Sequence, residues 1–246
     1  MKKLIVAFLM VVAPVLGLAS GGGAHLEHAD IDLSDQASLQ SGAKYFVNYC
    51  LSCHSAKYER FNRMAKDLGL TEDEVKDNLM FATDKIGDGM TIAMPTEKSG
   101  QWFGNPPPDL SVIARARGAD YLYSYLRSFY LDDSRPFGVN NIVFPDVGMP
   151  HVLWELQGLQ KAVYKTEKDS AGHNTEVFDH FEMVTPGALS TEEYDEVARD
   201  LTAFLVYIGE PIQMERKQLG VWVLLFIAVF FVFAYLLKKE YWKDVH

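Results

Sequence analysis

An uncharged run close to the C-terminus sets the strongest constraint on how this chain can fold. Residues 218–237 contain no Asp, Glu, Lys or Arg. As a helix rising about 1.5 Å per residue, the run would extend roughly 30 Å, the thickness of the hydrocarbon layer. Trp222 lies near one end, and Tyr235 and Trp242 lie at or beyond the other, where interfacial anchors concentrate. We therefore predict a transmembrane anchor over 218–237; a buried core helix is less favoured, because the run is apolar on every face.

A second apolar run, at the N-terminus, predicts export. Two lysines precede residues 4–18, and small residues ending at Ala19 follow, ahead of three glycines. This order of regions is typical of a secretory signal, cleaved here near Ala19 or Ser20. A second membrane span is the less favoured alternative, because the run is short and contains Pro14 and Gly17.

The two runs together predict the domain organisation and the topology. The signal exports the chain, and the anchor then stops its transfer across the membrane. Arg216 and Lys217 on the outer flank oppose the positive-inside rule, so the signal carries the orientation. The predicted segments are a signal peptide, 1–19; an exported domain, 20–210; a linker, 211–217; the anchor, 218–237; and a cytoplasmic tail, 238–246.

The charge of the exported domain restricts its partners. Residues 20–210 contain 16 basic and 30 acidic side chains, a net charge of −14. A nucleic-acid partner is disfavoured, since phosphate binding needs the opposite sign. A basic protein partner is the natural inference, although such a charge also serves solubility alone.

The cysteines of the chain, Cys50 and Cys53, lie in the run Cys-Leu-Ser-Cys, directly before His54. A disulfide would leave the histidine unexplained, and zinc would need about four ligands where no second Cys/His pair is suitably spaced. A redox dithiol favours a strand followed by a helix, which the flanking sequence does not suggest. Covalent attachment of one haem c explains all three residues: the two thiols add to the haem vinyl groups, and His54 ligates the iron.

A second axial ligand is sought among the methionines, since a soft thioether favours the reduced iron of an electron carrier. Met94 and Met149 both precede proline, which holds the chain extended. A glycine directly before Met149 would let the backbone approach the ring, so this methionine is modestly preferred. His151, His173 and His180 are lower-ranked alternatives.

Between the two methionines, the triple proline 106–108 would form a rigid wall without backbone donors. It could line an apolar crevice. Arg115 or Arg117 could neutralise a buried haem propionate, a role suited to a planar donor. A surface loop with solvated arginines is the alternative of about equal weight.

The exported domain is predicted to be mainly α. Apolar residues at helical spacing indicate a helix over about 38–49, and another is expected over 120–130. Thr71 and Ser190 each begin a sequence of capping-box form. The helix after the second box has an apolar stripe and should end at Gly209. The stripe comprises Tyr194, Val197, Leu201, Phe204, Leu205 and Ile208.

These motifs, taken in order, resemble the cytochrome c1 family, the haem subunit of bacterial ubiquinol–cytochrome c reductase (cytochrome bc1) complexes. The likeness covers essentially the whole chain after the signal. It is carried by Cys50-Leu51-Ser52-Cys53-His54, Pro107-Pro108-Asp109-Leu110-Ser111 with Arg115 and Arg117, Gly148-Met149-Pro150, and Gly209-Glu210-Pro211 before one C-terminal span.

The resemblance implies roles that the residues alone leave open. It implies Met149 as the sixth ligand, Arg117 and Tyr121 as propionate partners, and Pro107 and Pro108 beside the haem. It also implies a class I cytochrome c-like haem domain with loop insertions and one C-terminal transmembrane helix. No role is predicted for residues 154–186.

The function implied by the resemblance is one-electron transfer in a respiratory chain, without catalysis by this subunit alone. The implied partners are cytochrome b, a Rieske iron–sulfur donor, a soluble or tethered cytochrome c acceptor and the lipid of the bacterial inner membrane, with the haem domain in the periplasm. The alternatives are a cytochrome c subunit of a terminal oxidase or periplasmic dehydrogenase and, less favoured, a haem sensor or peroxidase.

Overall fold

The computed structural model of the chain is described over residues 25–168 and 173–243. The predicted signal peptide, 1–19, lies outside the described residues. The helices are α1 Gln36–Tyr45, α2 Phe61–Asp67, α3 Glu72–Asn78, α4 Thr96–Phe103, α5 Ile113–Arg117, α6 Ala119–Arg127, α7 Trp154–Gln157, α8 Thr191–Gly209 and α9 Gln213–Tyr241. The strands are β1 Ala56–Arg60, β2 Gly89–Met90, β3 Phe129–Leu131, β4 Val139–Asn141, β5 Gly158–Lys168 and β6 Asn174–Pro186.

Helices α1 and α8 form the centre of the core. A Cβ added at Gly42 of α1 would lie 2.2 Å from the carbonyl oxygen of Asp200 in α8, so glycine allows the two backbones this approach. The rings of Phe46 and Phe204 then meet at 5.4 Å between centroids. The six stripe residues predicted for α8 are all buried, and the helix ends at Gly209 as predicted.

Both predicted capping boxes are confirmed. The Thr71 hydroxyl accepts a bond from the backbone N–H of Glu74, whose carboxylate accepts the N–H of Thr71 in return. Ser190 and Glu193 make the same exchange at the start of α8. Each pair satisfies donors that a helix N-terminus leaves free.

The helix predicted over 120–130 is shorter in the structure. α6 ends at Arg127, because Phe129 to Leu131 form strand β3 and pair with β4 in antiparallel register. The chain also continues as a π-helix over Phe46–Cys50 after α1, so the end of the predicted 38–49 helix is π-helical and extends to Cys50. "Mainly α" thus describes the domain only roughly, since the described residues also form three two-stranded sheets.

Strands β5 and β6 form a long β-hairpin within the stretch 154–186, for which the sequence suggested no role. β5 and β6 pair from Gly158 with Pro186 to Lys168 with Asn174, with irregularities after Leu159 and Val163. Only the base of the hairpin is buried. There the amide of Gln160 donates to the carbonyl oxygen of Phe129 at 2.7 Å and ties β5 to β3.

The anchor helix α9 is longer than the uncharged run. It is the one helix within 25–168 and 173–243 that is long and apolar enough to cross a membrane; its most apolar window has a mean hydropathy of 2.7 and none of it is buried. Residues 213–217, predicted as linker, are helical.

Residues 210–212 connect α8 to α9, and the first of them, Glu210, bonds to residues on both sides of this connection. Glu210 accepts bonds from Arg216 of α9 at 2.5 and 3.1 Å, and it forms an ion pair with Arg115 of α5 at 3.6 Å. Its carbonyl oxygen also accepts the N–H of Gln213 at 2.9 Å. One carboxylate therefore connects the anchor helix to the exported domain.

Candidate cofactor-binding site

The two cysteines lie where the π-helix ends. The N–H groups of Cys53 and His54 both donate to the carbonyl oxygen of Cys50, at 3.0 and 2.8 Å, so the three residues share one turn. Cys50 is buried, Cys53 is half-buried, and they form no disulfide. Burial raises the pKa of the Cys50 thiol to about 12. A raised thiol pKa disfavours thiolate chemistry at Cys50 itself.

His54 is held by a carbonyl group. Its Nδ1 lies 2.8 Å from the carbonyl oxygen of Pro108. Since a carbonyl oxygen only accepts, Nδ1 carries the proton, and the lone pair is on Nε2. Burial lowers the pKa of His54, which also favours the neutral ring. The side chain is therefore prepared as a nitrogen ligand through Nε2.

The segment that supplies this carbonyl is bonded along its length to the residues after the cysteines. Four hydrogen bonds connect residues 54–58 with residues 108–111. They are His54 Nδ1 to Pro108 O (2.8 Å), Leu110 N to Ser55 O (2.7 Å), Lys57 N to Asp109 Oδ2 (3.1 Å) and Tyr58 N to Ser111 Oγ (3.1 Å). The predicted proline wall, with half-buried Pro107 and exposed Pro108, is thus fixed beside the cysteines.

Met149 lies in a loop and packs half-buried against a small apolar cluster of Phe129, Val139 and Val147. The hydroxyl of Tyr125 donates to its sulfur at 3.4 Å. This bond uses one sulfur lone pair and leaves the second available to a metal. The Tyr125 ring packs against both this cluster and the main core that includes Cys50, so it connects the two parts of the candidate site.

The competing ligands differ in their surroundings. Met94 is half-buried and belongs to neither apolar cluster of the described residues. His173 and His180 are exposed in the hairpin region, and His180 bonds Asp179. His151 is buried with its ring stacked on Phe129 at 4.9 Å, and burial lowers its pKa to about 4.

The two arginines after the proline segment are not equivalent. Arg115 is paired with Glu210, whereas Arg117 has no carboxylate partner among the described residues. The Arg117 guanidinium lies 5.2 Å above the ring of Tyr121, which in turn stacks on Tyr125 at 6.1 Å. Arg117 is therefore the one of the two that is free to meet an anion.

Three residues of this arrangement were not predicted. Asp109 and Ser111 were read only as part of the motif, yet both fix the segment under His54. An aspartate two residues before a serine is the sequence signal of an Asx-turn, and Ser111 N does donate to Asp109 Oδ1 at 3.0 Å. No sequence pattern marks Tyr125 as the partner of Met149, since its place in the sequence is that of an ordinary buried aromatic residue.

Comparison with known proteins points to one family. A model described as "Cytochrome C1 family" matches residues 28–245. The chain is 55% identical to a "Cytochrome c1" of Allochromatium vinosum over the whole of both proteins. It is 46% identical to an "Ammonia monooxygenase gamma subunit" of Nitrosomonas europaea, covering 100% of this chain and 98% of that protein. A "Cytochrome c1" of Rhodospirillum rubrum is 27% identical, over 95% of this chain and 96% of that one.

Proposed function

Because the chain belongs to the cytochrome c1 family, we propose that it holds one covalently bound haem c at Cys50, Cys53 and His54. Members of this family are the electron-transfer haem subunits of cytochrome bc1 complexes, and they are not catalytic on their own. The observation that best supports the residue assignment is the His54 ring. Its Nδ1–H is bonded to the Pro108 carbonyl, which leaves Nε2 for the iron.

Each remaining site residue then has a distinct task. Met149 would hold the iron together with His54, and the Tyr125 hydroxyl, bonded to its sulfur, would position that side chain. Pro107 and Pro108 exclude water from one side of the crevice, while Arg117 and Tyr121 meet a propionate. Bound haem c supplies a one-electron couple, and the residues around it set the potential of that couple.

The domain boundaries that we propose are those predicted from the sequence, with one adjustment. We propose a class I cytochrome c-like haem domain over 20–210 with the hairpin as its main insertion, after a signal peptide over 1–19. The anchor helix α9 includes most of the predicted linker 211–217. Export would place the haem domain in the periplasm and the residues after 237 in the cytoplasm. Lys238 and Lys239 in the last turn of α9 are offset by Arg216 and Lys217 before the apolar run, so this orientation is argued from the predicted signal peptide.

The partners follow from the family and the charge. In a bc1 complex the chain assembles with cytochrome b and a Rieske iron–sulfur subunit, which we propose as its electron donor. A cytochrome c is the proposed acceptor. The net charge of −14 over residues 20–210 would speed association with a basic acceptor, so that electron transfer should slow as salt rises.

Purification and redox titration test these assignments together. The native complex, solubilised from membranes, should contain b-type haem and a Rieske centre together with the c-type haem of this chain. Recovery with a terminal oxidase, a dehydrogenase or an ammonia-oxidising activity instead would refute the assignment to a bc1 complex.

Substitution of the two methionines tests the ligand. Met149→Leu should lower the midpoint potential and open the iron to carbon monoxide, because the thioether stabilises the reduced state. Met94→Leu is the matched control and should leave both properties unchanged. If the native reduced protein already bound carbon monoxide, a sensor or peroxidase would fit better.

A further inference from the structure

We propose that Asp109 is a positioning residue for His54, one that holds the Pro108 carbonyl on the Nδ1–H and thereby sets the reduction potential of the site. The inference rests on the proposed function in one respect, the role of His54 as a haem ligand. Asp109 itself touches neither the imidazole nor the thiols in any hydrogen bond. It positions His54 through the backbone on either side; its charge also acts on the imidazole directly, and the Asn variant below separates the two effects.

The Asp109 carboxylate bridges two segments that are far apart in the sequence. Oδ2 accepts the N–H of Lys57, which follows the cysteine motif, at 3.1 Å. Oδ1 accepts the N–H of Ser111 at 3.0 Å. Both oxygens are thus used by backbone donors, one on each segment, and the residue directly before Asp109 supplies the carbonyl that His54 needs.

The prolines explain why a side chain, and not the backbone of residues 106–108, must hold the Pro108 carbonyl in place. Residues 106–108 have no N–H groups, so this part of the chain cannot secure itself by donating hydrogen bonds. The Pro108 carbonyl is therefore held from its C-terminal side, by residues 109–111. Ser55 reinforces the arrangement, since its carbonyl accepts the N–H of Leu110 and its hydroxyl accepts the N–H of Ile92.

A second copy of the same tripeptide provides a comparison within the chain. Asp32-Leu33-Ser34 has the sequence of Asp109-Leu110-Ser111, and Asp32 Oδ1 likewise accepts the N–H of Ser34, at 2.8 Å. Its other bond is also local, from the Ser34 hydroxyl to the same oxygen. Asp109 also bonds a backbone N–H that is distant in the sequence, whereas Asp32 makes no such bond among the described residues. The turn is shared, and the bridge is specific to the candidate site.

The bridge has an electronic consequence. A firm hydrogen bond from Nδ1–H to a carbonyl raises the electron donation of Nε2, which stabilises the more positive, oxidised iron. Without the carboxylate, the Pro108 carbonyl is free to move and the bond weakens, so the oxidised state loses stabilisation. The midpoint potential should therefore rise.

The test compares Asp109→Ala, Asp109→Asn and the matched control Asp32→Ala in the full-length haem protein. Two quantities are measured: the midpoint potential, and the solvent exchange rate of the His54 Nδ1 proton by nuclear magnetic resonance. Asp109→Ala should raise the potential and speed exchange about tenfold, the factor that loss of one hydrogen bond corresponds to. Asp32→Ala should match the parent protein in both.

The Asn variant separates positioning from charge. Asn removes the charge and keeps one acceptor oxygen, so positioning predicts a shift smaller than that of Ala. Equal potential shifts in Asn and Ala, with parental proton exchange, would assign the effect to charge alone and overturn the proposal. If Asp109→Ala fails to accumulate, Asp109→Asn decides, because the bridge uses two acceptor oxygens and Asn has one. Faster proton exchange than in the parent supports the bridge, and a raised potential with the parent's exchange rate overturns it. A parent protein without a bound haem would instead refute the proposed function.

Discussion

The carboxyl group of Glu59 should make the stability of the domain fall as pH rises from about 4.5 to about 7. Glu59 is 1% exposed in strand β1, and its Oε1 lies 3.4 Å from the hydroxyl oxygen of Tyr207. That hydroxyl has one proton, which it donates to the Asp67 carboxylate at the shorter distance of 2.9 Å. The Glu59 contact is therefore a hydrogen bond only if Glu59 carries the proton itself.

The magnitude follows from linkage. Burial, with a smaller contribution from Asp67, raises the pKa of Glu59 from an ordinary 4.5 to about 7, although Arg63 opposes the shift. Between these values the unfolded chain binds fewer protons than the folded one, so stability falls with rising pH. The whole shift corresponds to about 3 kcal/mol, most of which is lost by pH 7 and the remainder just above it.

Glu59→Gln should remove this dependence, because the amide is neutral at every pH and can donate to the Tyr207 oxygen. Parent and variant should unfold alike near pH 4, and the variant should be more stable by about 3 kcal/mol at pH 8. In a domain of this size that is roughly 6–12 °C in Tm. Thermal unfolding of the solubilised protein across pH 4–8 measures the difference.

An infrared titration checks the cause directly. The carbonyl stretch of a protonated carboxylic acid should disappear with a midpoint near pH 7 and be absent from Glu59→Gln. Glu97→Gln, at an exposed position in α4, is the control and should keep the band. A stability difference that stays constant from pH 4 to pH 8 would show that Glu59 has the same pKa in the folded and the unfolded chain, and the hydrogen-bond argument would be wrong.

Three further substitutions test the packing and the caps by equilibrium unfolding. Gly42→Ala should lower the free energy of unfolding by at least about 2 kcal/mol, because the new Cβ meets a backbone oxygen of α8. The control Gly87→Ala, where a Cβ has nothing within 4 Å, should change it by less than about 0.5 kcal/mol. Stabilisation by Gly42→Ala would contradict the close approach of the two helices. Ser190→Ala should cost about 1 kcal/mol through loss of the α8 cap, and Ser190→Thr should retain most of it; equal losses in both would argue against a cap. Arg127→Met should lower the free energy of unfolding by about 2 kcal/mol, because Asp195 then loses two half-buried hydrogen bonds of 2.5 and 2.8 Å. An unchanged stability would mean that water replaces the guanidinium as the partner of Asp195.

The sequence predicted the features that depend on neighbouring residues. The capping boxes at Thr71 and Ser190 need only residues three apart, and the buried stripe of α8 repeats at helical spacing. The transmembrane anchor was also predictable from the sequence, since the length of the apolar run and its lack of charged residues identify it. The resemblance to the cytochrome c1 family, drawn from the order of the motifs, is confirmed.

The features that were missed depend on contacts between distant residues. The hairpin is exposed on both faces for most of its length, so β5 and β6 lack the alternation that marks a half-buried strand. α6 ends early because β3 pairs with residues ten positions on, around Val139 to Asn141. The bridge from Asp109 to Lys57 joins residues 52 positions apart, which no local pattern records. Which methionine completes the site stays a prediction, supported by the bond from Tyr125.

The connection at Glu210 bears on how the exported domain can move relative to its anchor helix. A domain on a flexible tether sweeps a volume above the membrane, and its distance from the bilayer fluctuates with the tether. Here α8 and α9 are three residues apart, and one carboxylate bonds Arg216 of the anchor and Arg115 of the domain. We expect the short connection and these bonds to restrict the motion of the exported domain on its anchor, although exposed ion pairs are individually weak. In the proposed function, most of the movement over distance would then be performed by the electron donor and the electron acceptor.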